Sequence, residues 1–184
     1  MNTLTAICGV KQTDYLCKVA AKYLNDNKSV IYISTPAAMV SYTKGCISSK
    51  LKPDCNANLL IVDEHTDPYV VFRDAKNVYN NIHFGCMIID VYETFDNLSR
   101  GNYGLSRIKQ SLIDISELGK NNNVDIYIRS PCGEIEDIAE FIRPNVNILL
   151  HITETDLTFN HHKVLVEEVK NHTGIKDLQL VDLK

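Results

Sequence analysis

An α/β fold with a mainly parallel sheet is predicted by three features of this sequence. Short apolar runs of strand length, such as Asn58 to Val62 and Cys86 to Val91, alternate with segments in which apolar residues recur at helical spacing. The runs are apolar throughout rather than at every second residue, which is what strands buried on both faces between helix layers require. With 184 residues, 45% apolar and 23% charged, and only 8 Gly and 5 Pro, the chain reads as one globular domain spanning 1–184. That length buries roughly two-thirds of the unfolded surface. No low-complexity stretch or linker divides it.

The elements follow in order. Leu4 to Cys8 is the first strand and ends at Gly9; Leu16, Val19, Ala20, Tyr23 and Leu24 then form one stripe of a helix, with Thr13 as its expected cap. Ser29 to Ser34 is the second strand. Pro36 suits the first turn of a helix that Ala37 to Leu51 continues, although Gly45 and two serines weaken it. A third strand, Asn58 to Val62, leads through Asp67-Pro68 into a helix marked by Val70, Val71, Ala75 and Val78 and ending near Asn81. Gly85 to Tyr92 is the fourth strand. Ile108, Leu112, Ile115 and Leu118 mark the next helix, which Gly119 and the Asn121 to Asn123 run are expected to end. Val124 to Ile128 is the fifth strand, and Ile135, Ile138, Ala139 and Ile142 mark a helix stopped by Pro144. Val146 to Ile152, Lys163 to Val169 and Leu178 to Val181 then give three strands with no helix between them, an antiparallel C-terminal addition to the sheet.

Composition excludes several classes of function. A net charge of −4 and a pI of about 5.8 argue against a surface that attracts nucleic acid everywhere, so any DNA contact must be local. The six cysteines, Cys8, Cys17, Cys46, Cys55, Cys86 and Cys132, are scattered, and three lie in apolar segments where a reduced thiol packs as a small hydrophobe. That usage points to a reducing, cytoplasmic setting. No Cys pair has zinc-ligand spacing, and His161 and His162 are adjacent, so no metal site is expected. No apolar run is long enough for a membrane span, and Met1 to Gly9 lacks the pattern of a secretory leader.

A strand, a turn opening with Gly, a helix, a second strand and later a strand ending in Asp form the skeleton of a P-loop nucleotide-binding domain. The segments sharpen this. Ala6-Ile7-Cys8-Gly9 and Lys28 to Ser34 resemble the opening of the RecA-like motor domain of hexameric replicative helicases of the DnaB type. Leu59-Leu60-Ile61-Val62-Asp63, Met87-Ile88-Ile89-Asp90 as the Walker B strand, the Ile108 to Lys120 helix with Val124 to Ile128, and Val169 to Gly174 follow in that family's order. The resemblance covers nearly the whole chain. It implies a RecA-like, P-loop NTPase-like three-layer α/β/α sandwich, mainly parallel with antiparallel C-terminal strands.

The chain departs from the family at its working positions. The family's loop reads Gly, four residues, then Gly-Lys-Ser/Thr; here Gly9 is followed by Val10, Lys11, Gln12 and Thr13 and then by Asp14-Tyr15-Leu16. By this count the phosphate-wrapping Gly, the Lys and the magnesium-binding hydroxyl are all missing. A carboxylate such as Asp14, about 4 Å from one phosphate charge, opposes it by about 4 kcal/mol at an effective dielectric near 20. The catalytic Glu that follows the family's second strand matches Thr35 or Pro36, the polar sensor falls at Ser130 or Pro131, and the Lys-x-Arg finger matches Lys170-Asn171-His172. Imidazole lacks the permanent charge and planar fork of guanidinium. The resemblance thus implies no catalytic residues. Gly9, Lys11, Gln12, Thr13, Asp90 and Lys170 are what remains of a nucleotide site.

Other chemistry-bearing residues have simpler readings. Asp63-Glu64-His65 reads as a solvated turn beside a peripheral strand, Cys86 and Cys132 as buried packing, and His151 as a core or edge histidine. Asp90 is either a loop cap or a retained magnesium contact. In the resembled motors, the loops after the Walker B and sensor strands face single-stranded DNA. The matching positions are Arg100, Tyr103 and Arg107 in the first loop and Arg129 at the second, a weak site that repetition around a ring would strengthen; a solvated loop is the competing reading.

The expected function is that of a non-catalytic relative of a helicase or recombinase motor. It would associate with itself or with an active replication or recombination protein, as an accessory, structural or inhibitory subunit, with single-stranded DNA as a further partner. The family's amino-terminal domain has no counterpart here, and the Asn- and Lys-rich composition suits a viral or mobile-element genome. Two rivals stand beside this: a divergent ATPase that holds ATP and magnesium through Lys11, Gln12, Thr13 and the helix N-terminus, and an interaction module unrelated to DNA.

Overall fold

The apolar runs assemble into one eight-stranded sheet. The computed structural model describes residues 2–34, 37–62, 68–90, 104–130, 145–154, 163–170 and 178–183. Among them the chain runs β1 (Leu4–Gly9), α1 (Gln12–Asn25), β2 (Ser29–Ser34), α2 (Ala37–Ser48), β3 (Leu59–Val62) and α3 (Pro68–Val78). It continues through β4 (Phe84–Asp90), α4 (Gly104–Asn122), β5 (Asp125–Arg129), β6 (Ile148–Glu154), β7 (Lys163–Lys170) and β8 (Leu178–Asp182). The sheet order is β3-β2-β4-β5-β1-β6-β7-β8. Every pairing from β3 to β6 is parallel, and β7 and β8 add antiparallel at the C-terminal edge. The expected strands, and β3 at the periphery, are where the apolar runs placed them. The helix expected from Ile135 to Ile142 lies outside the described residues.

Each central strand is apolar on both sides because each side has its own core. Leu4, Ala6, Ile31, Ile33, Met87, Ile89, Ile126 and Ile128 face one core, which α3 and α4 close with Val71, Phe72, Ala75, Leu112 and Leu118. Ile7, Val30, Tyr32, Cys86 and Ile88 face the other, which α1 and α2 close with Leu16, Cys17, Ala20, Leu24 and Ile47. The alternation slips once. Phe84 and Cys86 face opposite cores although they are two residues apart, because the β2–β4 register shifts between Ser29 and Val30 and leaves Gly85 as an extra residue.

Two sequence expectations about helix ends are refined. Of the stop signals in Gly119 and the Asn121 to Asn123 run, the asparagines act: α4 passes through Gly119 to Asn122, and Asn123 ends it in the left-handed conformation, φ 58°. Gly119 serves packing instead: a Cβ there would stand 2.9 Å from the Val124 carbonyl oxygen and 3.1 Å from the Ile126 side chain. At α1 the N-cap is Lys11, not Thr13. Among the described residues, no helix is long and apolar enough to cross a membrane, and no group of three His, Cys, Asp or Glu is placed to hold a metal ion.

Candidate functional site

In open α/β sheets ligands bind beyond the carboxyl ends of the strands. The strand order sets β5 between β1 and β4, so the tips of these three strands and the first turn of α1 meet at the crevice position of such sheets, where Gln12, Thr13, Asp90 and Ser130 are buried. Only Val10 and Lys11 separate β1 from α1. Gly9 takes φ 102°, and a Cβ on it would lie 2.0 Å from the Ile152 carbonyl oxygen of β6. The adjacent Val10 N–H donates to that same oxygen at 3.0 Å. Glycine is therefore required both by the backbone angle and by the closeness of β6. Lys11 then turns left-handed, φ 50°, and the helix begins.

Gln12 closes this turn from within. It is 2% exposed, and its Nε2 donates to the Gly9 carbonyl at 3.0 Å and to the Ser130 carbonyl beyond β5 at 3.1 Å. Beside it the Thr13 hydroxyl accepts from Arg129 Nη1 at 3.1 Å, and the same nitrogen donates to Asp90 Oδ1 at 3.0 Å. The second Asp90 oxygen accepts from the Tyr32 hydroxyl at 2.9 Å. The register explains the meeting: Ile128 pairs with Ile89 and Arg129 with Ile7, so Arg129 leaves β5 level with Asp90, the next residue of β4. The Asp90 side chain is 2% exposed and that of Arg129 19%, so the ion pair is internal. Burial first, and then the Asp90 charge, hold the Tyr32 phenol protonated well above its usual range.

Several sequence expectations change here. Counting from Gly9 placed the working positions at Asp14, Tyr15 and Leu16, but α1 begins at Gln12, so its first two positions are Gln12 and Thr13. Thr13, counted as a loop residue, thus stands in the first turn of the helix and carries a hydroxyl there. Asp14 accepts a hydrogen bond from the Tyr42 hydroxyl of α2. Arg129, expected to face DNA, is turned inward onto Asp90, because an isolated carboxylate so deeply buried requires a charged partner. Asp90 thus carries an internal ion pair with Arg129, whatever the loop after it adds, and that loop lies outside the described residues. Sequence reasoning named both residues without pairing them; the signal was their shared position, each the last residue of an adjacent strand.

The remaining candidates are less informative. Lys170 ends β7, and its side chain lies outside the described residues, as does that of Arg107 within α4. Arg100, Tyr103, Thr35, Pro36, Asp63, Glu64, His65, Cys132 and His172 also lie outside them. Ser130, one of the two positions the resemblance offers for the sensor, is fully buried, and Pro131 lies outside the described residues. Burial pushes the Cys17 and Cys86 thiols well above the ordinary thiol range, consistent with packing rather than nucleophilic roles.

No family model matches the sequence, and no curated protein matches it either. Among solved structures, a KaiC-like protein from the hyperthermophilic archaeon Pyrococcus horikoshii OT3 superposes with a TM-score of 0.63 at 12% identity. The match covers 97% of this chain and 83% of that one. At that identity the likeness is one of fold, and the fold of this chain is RecA-like, with a mainly parallel sheet and antiparallel C-terminal strands.

Proposed function

We propose that this chain is a RecA-like protein that does not hydrolyse nucleotide. It acts by association, with copies of itself or with an active motor, as an accessory, structural or inhibitory subunit in DNA replication or recombination. The observation that carries this reading is the closed turn after β1. A triphosphate cradle needs a run of inward-facing backbone amides, and the P-loop pattern provides four residues between its first glycine and its Gly-Lys pair. Here two residues span the gap, and the Gln12 side chain ties the turn to the carbonyls of Gly9 and Ser130. Gln12, the first helical residue, brings a neutral amide where a phosphate would need a cation. The replication or recombination setting rests on the sequence resemblance to the DnaB-type motors.

Calorimetric titration with ATP and magnesium, alongside a phosphate-release assay, tests the first part. No micromolar binding and no turnover are expected. Micromolar ATP binding abolished by Lys11→Ala would establish the rival ATP-binding reading. For the second part, the protein isolated from its native cell is expected to carry a replication or recombination protein or to form a defined oligomer. Salt-sensitive retention of single-stranded DNA, lost in the Arg100→Ala, Arg107→Ala double variant, would add DNA as a direct partner.

A further inference from the structure

The crevice holds a cation of its own. In P-loop NTPases the magnesium ion is held between a hydroxyl from the first turn of the helix after the loop and an Asp at the end of a neighbouring strand. This chain keeps both groups, Thr13 on α1 and Asp90 at the tip of β4, and one atom joins them: Arg129 Nη1, 3.1 Å from the hydroxyl and 3.0 Å from the carboxylate. We infer that the Arg129 guanidinium is a built-in substitute for the divalent cation, occupying the place between Thr13 and Asp90 and making the crevice independent of metal. This rests on reading the crevice as a relict nucleotide site.

Three physical points carry the inference. A guanidinium keeps its charge at every accessible pH, so the Asp90 charge is balanced without any ion from solution. The cation is tethered to β5, so nothing is lost by dilution, whereas a free ion competes with bulk water. The place is also occupied. Arg129 Nη1 lies within hydrogen-bond distance of both oxygens, 3.1 and 3.0 Å, so no ion takes that place while the guanidinium holds it, and removing the guanidinium leaves a hydroxyl and a carboxylate facing a vacated cation position. Arg129 also fastens α1, β4 and β5 together permanently, a link that in a motor would come and go with the metal-bound nucleotide.

The test uses Mn2+ as the probe, read by electron paramagnetic resonance and by thermal melting in EDTA or in millimolar MnCl2. The wild-type chain is expected to take up no Mn2+ at this site and to melt at the same temperature in both buffers. Arg129→Met is expected to melt lower in EDTA, to bind one Mn2+ at least tenfold more tightly than the wild type, and to recover several degrees when the ion is added. The double variant Arg129→Met, Asp90→Asn is expected to gain no Mn2+, and Arg129→Lys, which keeps a cation, is expected to remain indifferent to it. Should Arg129→Met fail to fold in EDTA, refolding on Mn2+ addition, seen by circular dichroism, supports the inference and failure to refold overturns it. Wild-type Mn2+ binding as tight as that of Arg129→Met, or a folded Arg129→Met that binds none, also overturns it. These readouts do not involve ATP. ATP turnover by the wild type would sink the non-hydrolysing reading, whereas absent Mn2+ uptake by Arg129→Met would sink only the substitution of metal by arginine.

Discussion

The two ends of the sheet each hold a carboxylate met by a tyrosine, and they satisfy it differently. At the carboxyl end, Asp90 has the Tyr32 hydroxyl at 2.9 Å on one oxygen and the Arg129 guanidinium at 3.0 Å on the other. At the amino end, Asp125 has the Tyr23 hydroxyl at 2.7 Å on one oxygen and the Thr3 amide at 3.0 Å on the other, with the Thr3 hydroxyl at 3.3 Å. Asp125 is half-buried at the start of β5, so neutral donors and solvent suffice for its charge; Asp90 is buried and carries a charged partner. Among the described contacts a cation pairs directly with the carboxylate at the carboxyl end, where open α/β sheets place their ligands, whereas at the amino end Lys28 lies 5.6 Å over the Tyr23 ring. Both carboxylates have a tyrosine, so it is the internal arginine that distinguishes the carboxyl end.

The largest effect is expected at the ion pair. Arg129→Ala leaves a buried carboxylate uncompensated and is expected to cost about 3–5 kcal/mol in urea unfolding, with much of that recovered when Asp90→Asn is added. A cost near zero would mean that the pair does not hold the crevice together. The tyrosines sharpen the contrast. Tyr32→Phe removes a donor from a buried charge and is expected to cost about 2–3 kcal/mol, whereas Tyr23→Phe, at a half-buried carboxylate with other donors, is expected to cost about 1 kcal/mol. Equal costs would erase the distinction between the two ends.

The smallest effect is alkaline. Burial raises the Tyr23, Tyr32 and Tyr127 phenols above their ordinary value, Tyr127 to about 12. The folded chain therefore holds these protons more tightly than the unfolded one. Their contribution is complete below the unfolded value near pH 10 and is lost as the pH rises through the folded values. Absorbance at 295 nm is expected to show these phenols ionising late and together with unfolding. Ionisation near pH 10 with the fold intact would contradict the burial on which both clusters depend.

Much of the fold was legible because its determinants are local. The runs Leu4 to Cys8, Ser29 to Ser34 and Met87 to Asp90 announce strands without reference to any partner, since an unbroken apolar run has to be covered on both sides. Helix ends were less legible. Gly119 carries a stop signal, yet the helix passes through it, because the chain returning at Val124 and Ile126 needs room that only glycine leaves. The site was half legible. Gly9, Gln12, Thr13, Asp90 and Arg129 were all singled out by position, Thr13 as a cap and a nucleotide-site remnant and Arg129 as a DNA contact implied by the resemblance, but their meeting was not, because it joins positions 39 and 116 residues apart.

Taken alone, the sequence determined the alternation of strand and helix, the absence of a standard Gly-Lys-Ser/Thr loop and the antiparallel end of the sheet, all of which depend on neighbours a few residues apart. Only the tertiary structure decided that Arg129 faces Asp90 and Thr13, which lie 39 and 116 residues away from it along the chain. The physical reason is the strand order: setting β5 between β1 and β4 brings three remote strand tips within hydrogen-bond reach, and burial then selects the pairing that leaves no charge alone.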